Sequence, residues 1–228
     1  MKKILQKFFR GYAVLEEVYS PINGKIQVLE DIFGKRRLVV GGLTQSGEAV
    51  EKVWRKTISN FQFPISNCLI MGLGAGSAAK VINKFFPEVK ITGIEIDPEI
   101  IRLGKKYFGL AEIKNLEIKI ADATLTINHK QSLLLRNQSL IINHHDLILV
   151  DLYLGNQVPA SAETDKFLQT VKKILVPDGI VIFNRLYYSK KVTEVDNFEK
   201  KLRKIFPKIE AKKIETNKLF LCRTIKMK

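Results

Sequence analysis

The stretch Cys68–Phe85, CLIMGLGAGSAAKVINKF, constrains this chain more than any other. Cys68–Met71 is an apolar run with the length of a buried strand. Gly72, Gly74 and Gly76 follow at alternate positions, and Ser77–Phe85 then has the spacing of a helix. A strand, a glycine turn and a helix in that order form a phosphate- or nucleoside-holding device. Glycines let the chain bend sharply and let a ligand approach where a Cβ would stand. The helix beginning at Ser77 is expected to aim free N–H groups at whatever sits there. The next apolar run, Ile91–Glu95, ends in an acid 23 residues after Gly72. An acid at that strand tip can accept both hydroxyls of a ribose. The plain alternative is a packing turn beside a surface glutamate, but strand, loop, helix and acid coincide, which favours nucleoside binding. The third glycine comes one residue too early for the G-x-G-x-x-G of dinucleotide sites, so that reading is disfavoured.

Around this stretch the pattern alternates. Leu116–Ala121, Leu147–Asp151 and Ile180–Asn184 read as further buried strands, the last entered through a turn at Pro177-Asp178-Gly179. Pro98–Tyr107, Ala162–Leu175 and Val195–Phe206 read as helices, and two late strands are expected near 209–214 and 219–224. Such alternation implies an α/β fold, Rossmann-like, with a mostly parallel central sheet covered on both faces. Before it, residues 14–40 read as a three-stranded β-meander with tight turns at Asn23-Gly24 and Phe33-Gly34-Lys35. Residues 48–61 read as an amphipathic helix, and residues 2–10 as another that docks on the domain or on a partner subunit. The expected division is 1–62 for the amino-terminal helix, meander and linking helix, and 63–228 for the nucleoside-binding domain. Residues 126–145 read as a helix plus loop without assignable chemistry.

The bulk numbers remove several classes. At 228 residues, 46% hydrophobic and 27% charged, the chain has an ordinary globular composition. No apolar run approaches a membrane span of about 20 residues. The start, MKKILQKFFRGY, is interrupted by Gln6, Lys7 and Arg10, so it does not read as a secretion signal, and a cytoplasmic location is expected. Cys68 and Cys222 lie in strand-like runs and read as buried free thiols. His129, His144 and His145 form no zinc-like spacing, so no metal is expected. Net charge is +15, and from Arg185 onward 14 basic residues face 5 acidic ones. Such a surface could attract nucleic acid or an anionic membrane. Without aromatic interleaving or a nucleic-acid motif, a solvated lysine-rich face is the preferred reading.

The G-x-G-x-G spacing resembles the class I S-adenosylmethionine-dependent methyltransferases, where an acid after the third strand contacts the adenine. Asp122 in ADA occupies that place, with a strand-end turn as its structural alternative. Asp151, ending LILVD, lies where the fourth strand reaches the crevice. More narrowly, the small meander with GKRRLVVGGLTQSG and the later LVPDGIVIF resemble the spermidine synthases, the polyamine aminopropyltransferases, over roughly residues 14–205. In that family Gln45 would match the glutamine of L-D-G-x-x-Q. The resemblance implies decarboxylated S-adenosylmethionine as donor, an amine acceptor and a homodimer with the meander at or near its interface.

The chain departs from the family's pattern at two acids. Ala75 stands where G-G-G-D-G-G has its aspartate, and Leu154 stands at the second acid of D-x-x-D, which here reads Asp151-Leu152-Tyr153-Leu154. A carboxylate at position 75 would favour the ammonium of the decarboxylated donor. Its loss leans the chemistry towards methyl transfer from ordinary S-adenosylmethionine. Glu163 and Asp165, or Glu16 and Glu17, could substitute for the missing acids, although surface charge is their plainer role. The expected site therefore has Gly72, Gly74 and Gly76 cradling the donor tail and Glu95 on the ribose. Asp122 would sit on the adenine, Gln45 would close the pocket, and Asp151 would act as general base. Aminopropyl transfer to an amine is the family's implication. Methyl transfer, or a non-catalytic nucleoside- or partner-binding role, are the alternatives.

Overall fold

A computed structural model describes residue 7, residues 9–127 and residues 144–224. Most of the expected 2–10 helix, His129, and nearly all of the 126–145 segment lie outside the described residues.

The amino-terminal unit is an antiparallel sheet in the order β1 (Tyr12–Ser20), β2 (Gly24–Asp31), β3 (Arg36–Val40) and β4 (Leu43–Gly47). Four strands replace the three expected. Gly41 and Gly42, at φ +55° and +81°, reverse the chain into β4. That strand, LTQSG, is too polar to show apolar alternation, so its partner strand and not its own pattern makes it a strand. Between β1 and β2, Ser20 pairs with Gly24, which leaves a three-residue loop, Pro21–Asn23, in place of the tight turn expected at Asn23-Gly24. Helix α1 (Glu48–Ile58) follows directly and buries Val53, Trp54, Thr57 and Ile58.

The second sheet has seven strands: β5 (Asn67–Met71), β6 (Lys90–Glu95), β7 (Leu116–Ile120), β8 (His145–Val150), β9 (Leu175–Leu186), β10 (Lys208–Ile214) and β11 (Asn217–Arg223). Their order is β10-β11-β9-β8-β5-β6-β7. The strands from β5 to β9 pair in parallel, and β11 and β10 close the far edge antiparallel. Helices α2 (Ser77–Phe85), α3 (Pro98–Tyr107), α4 (Ala123–Thr126), α5 (Asp165–Lys173) and α6 (Val192–Ile205) connect them. This is the expected Rossmann-like, class I methyltransferase arrangement.

Alternation along each central strand divides its side chains between two cores. Cys68, Ile70, Leu147, Leu149 and Ile182 pack with Trp54, Ala78 and Ile82. Leu69, Met71, Ile148, Val150 and Phe183 pack with Phe167, Phe198 and Phe206. Burial on both faces is why these strands read as unbroken apolar runs. Cys68 and Cys222 are both buried and free.

Two local expectations shift. Pro177-Asp178-Gly179 does not precede β9 but lies inside it, as a bulge between the pairs His145–Leu175 and Leu147–Ile180, with Asp178 at φ +66°. The helix expected from Ala162 starts later, after a 3-10 turn over Ala160–Glu163. Thr164 caps α5 by accepting the Phe167 N–H at 3.1 Å.

A third apolar cluster docks the small sheet on the large one. Ile26, Val28, Leu38 and Val40 meet Ala75, Ile100, Leu103 and Phe108. The strand order reverses between β5 and β8, which opens a crevice above their carboxyl ends. The small sheet and α1 supply that crevice with a wall.

Candidate functional site

The glycine turn is held from within. Gly72 and Leu73 donate their N–H groups to the Ile94 carbonyl at 3.0 and 2.9 Å, and Gly76 donates to Leu73 at 3.1 Å. Gly74 donates to Glu95 Oε2 at 2.8 Å and Ala75 to Ser46 Oγ at 2.9 Å. The N–H groups of the bend itself are therefore taken, whereas the expectation of free N–H groups concerns the helix start at Ser77, beyond them. The end of β6, Ser46 of β4 and the turn's own Leu73 carbonyl together satisfy the five successive donors from Gly72 to Gly76. Gly72, at φ +86°, lies so near β8's end that a Cβ would stand 2.1 Å from the Asp151 carbonyl oxygen. Gly76, at φ +97°, has its own packing reason, because a Cβ there would meet Leu110 at 2.6 Å. It is absent from the cavity wall, unlike Gly72 and Gly74.

A cavity of about 200 Å³ opens beside the turn, walled by Gly72, Gly74, Glu95, Asp122, Asp151 and Gln45 among others. Glu95 is 7% exposed and its Oε1 accepts the Ile96 and Asp97 N–H groups at 2.9 and 3.1 Å. Burial raises its pKa, while these backbone bonds oppose the rise. A carboxylate offers about four lone-pair positions. Three are used, so one on Oε2 remains for a ligand. Asp122 caps α4 through Oδ1, which accepts the Thr124 N–H at 2.7 Å and its hydroxyl at 2.8 Å. Its Oδ2 accepts no hydrogen bond among the described residues. The strand-end turn and the ligand-facing role thus coexist on different oxygens.

Asp151, directly after β8, stands on the wall of this cavity and of a second one of about 340 Å³. Its Oδ1 accepts the Asn184 side-chain N–H at 2.9 Å. Burial pushes its pKa up to about 6. The Asn184 bond, the Arg185 charge and the Trp54 indole pull the other way. Trp54 Nε1 is itself buried without a hydrogen-bond partner among the described residues, although the ring lines the first cavity. An orphaned donor beside a carboxylate is a ready contact for a bound polar group. Gln45, Val50 and Tyr153 join Asp151 in lining both cavities. Gln45 Nε2 donates to the Gly155 carbonyl at 2.9 Å, tying β4 to the loop after β8.

The two replaced positions behave differently. Ala75 is fully buried in the apolar cluster with Ile100, Leu103 and Phe108 and is absent from the cavity wall. A side chain at 75 in this backbone meets the core, which corrects the expectation that its charge would choose the donor. Leu154, 43% exposed, does line the first cavity, and its backbone pairs with Gln157 at 2.9 and 3.2 Å.

The candidate substitutes are occupied elsewhere. Glu16 accepts from Arg102, Lys106 and Tyr107 at 2.7, 2.7 and 2.8 Å, which holds its pKa at about 2. Glu17 pairs with Lys25 at 3.0 Å, Glu163 with the buried Arg185 at 3.5 Å and Asp165 with Lys201 at 3.9 Å.

Several site residues escaped the sequence reading. Asn23 and Ser20 donate to Asp97 Oδ2 at 2.8 and 2.5 Å, so this fully buried aspartate clamps the small sheet beside Glu95. Asn184 comes from β9, 33 residues after Asp151. Tyr153 accepts the Leu186 N–H at 2.7 Å. An Asp directly before a helix-starting Pro is a capping signal that could have found Asp97, whereas no such local signal marks Trp54 or Asn184 as site residues.

The family model described as the spermine/spermidine synthase domain matches residues 37–217. The mouse eEF1A lysine and N-terminal methyltransferase is 30% identical over 162 residues, covering 68% of this chain and 22% of that protein. A polyamine aminopropyltransferase of Vibrio vulnificus is 30% identical over 122 residues, covering 54% and 38%. The chain thus spans between about a fifth and two fifths of these relatives' lengths. The crystal structure of human methyltransferase-like protein 13 in complex with SAH superposes with TM-score 0.57 at 25% identity, over 79% of each chain.

Proposed function

Since the chain belongs to the spermine/spermidine synthase domain family, we propose that it is a transferase moving a group from an S-adenosylmethionine-type donor to an amine. One observation carries this reading: Asp151, with its pKa near 6, stands on the shared wall of two cavities. The cavity at the glycine turn has the features of a donor site. Glu95 Oε2 and Asp122 Oδ2 keep acceptor capacity for ribose hydroxyls and an adenine amine, and Trp54 keeps a donor. The second cavity is then the acceptor site.

In this reading the acceptor enters as an amine beside Asp151. The carboxylate takes one amine proton, and the freed nitrogen lone pair forms the N–C bond. The C–S bond breaks with its electron pair remaining on sulfur, so the sulfonium becomes a neutral thioether. Base catalysis of this kind requires hydrogen-bond reach and a pKa near working pH. Holding nitrogen, carbon and sulfur in line supplies much of the rate. Gln45 and Tyr153, common to both cavities, set the passage between them.

Family membership supports aminopropyl as the group transferred. A second reading, methyl transfer, is supported by Leu154 on the donor wall, where the family's pattern has a second acid, and by the SAH complex of the human neighbour. Calorimetric titration with S-adenosylmethionine and its decarboxylated form tests both, followed by mass analysis of products after incubation with amines. Binding of at least one donor with transfer to an amine is expected, and the preferred donor chooses the group. Binding of neither would overturn the transferase reading.

A further inference from the structure

The second cavity joins Asp151, Tyr153, Asn184 and Asn217 on one side to Lys52 and Glu215 on the other. Its inner polar groups already satisfy one another. Asn184 donates to Asp151, Asn217 Nδ2 donates to Asn184 Oδ1 at 2.8 Å, and Tyr153 accepts from Leu186. Asp151 is thus the one carboxylate on this wall that no cation pairs among the described residues. At the exposed mouth, Glu215 Oε1 is shared by Lys52 at 2.9 Å and Lys56 at 3.2 Å, so two ammonium groups face one carboxylate. The cavity has room for one positive group at its buried end and carries excess positive charge at its mouth.

We infer that the acceptor is a compound with a single amine whose far end is neutral or anionic, and that a linear diamine is disfavoured. The inference rests on the assignment of the first cavity to the nucleoside. An amine beside Asp151 has a charge partner and a base. A second ammonium at the far end would meet Lys52 and find Glu215 already shared by Lys52 and Lys56, whereas a terminal carboxylate there would find Lys52. Like charges a few ångströms apart near the surface repel appreciably, and salt weakens but does not remove this within a Debye length of about 8 Å.

The test uses the full chain saturated with S-adenosylhomocysteine or methylthioadenosine, whichever binds. It is titrated calorimetrically with three ligands sharing a four-carbon chain: n-butylamine, the terminal diamine, and the amino acid ending in a carboxylate. The diamine is expected to bind about tenfold more weakly than the amino acid, with n-butylamine between. Lys52→Glu, an exposed change, is expected to bring the diamine above the amino acid. A diamine that binds wild type as tightly as n-butylamine overturns the inference. So does an order that Lys52→Glu leaves unmoved, or failure of all three to bind. Failure of both nucleosides to bind is a different result and overturns the donor-site assignment itself.

Discussion

Asn184 Nδ2 donates to Asp151 Oδ1 at 2.9 Å, joining the ends of two adjacent parallel strands at the boundary between two cavities. The bond steadies the ionised form of a carboxylate that burial would otherwise keep protonated.

Turnover should therefore rise with pH through about 6, as Asp151 ionises. Asn184→Leu removes a bond that lowers the pKa, so the acidic limb of the pH–rate profile should move upward. Asp151→Asn should cost about a hundred- to ten-thousand-fold in turnover while retaining nucleoside binding.

The same group gives a stability prediction. A carboxyl whose folded pKa lies near 6, above its ordinary 3.8, favours the folded state below pH 3.8. That advantage fades as pH rises and is lost above about 6, because the folded state then gives up a proton it holds more tightly than the unfolded chain does. The full difference is about 3 kcal/mol. Asp151→Asn should flatten this part of the stability–pH curve, measured by urea denaturation between pH 4 and 7 (roughly the window these pKa values define).

Glu95→Gln tests the junction of turn and strand tip. Three backbone N–H groups point at its two oxygens, and either amide orientation turns an NH₂ towards at least one of them. A loss of about 1–3 kcal/mol in stability is expected, with nucleoside affinity falling in the same variant. Thermal denaturation and calorimetry check the two effects separately.

Ala75→Asp should not restore a donor preference. It places a carboxylate among Ile100, Leu103 and Phe108, and an unpaired buried charge costs about 3 kcal/mol or more. Denaturation measures the loss. A stable variant that gains affinity for the decarboxylated donor would show that position 75 reaches the cavity after all.

Asp97→Ala removes the α3 cap to Glu99 N–H and both side-chain bonds from the small sheet. A loss of about 2–3 kcal/mol is expected. Amides of β1 and β2 should exchange faster with solvent than those of β5 and β8, because the small sheet loses its polar anchor.

Much of the large sheet was legible because its strands are buried on both faces and its helices are amphipathic. Ser77–Phe85 and Pro98–Tyr107 match the helices residue for residue. β4 was not legible, since polar residues become a strand only when β3 offers a ladder. Nor was the direction of position 75, which a motif places in sequence but only the packing of α3 places in space.

The sequence by itself determined the strand–turn–helix unit, the alternation that builds the sheet and the acids at three strand ends, because periodicity and glycine spacing act locally along the chain. Tertiary structure decided which turn donors are already taken, that Asp151 faces two cavities, and that Trp54, Asn184 and Asp97 belong to the site. Those outcomes depend on residues far apart in the chain meeting in a low-dielectric interior, where burial and a single hydrogen bond set the state of a carboxylate.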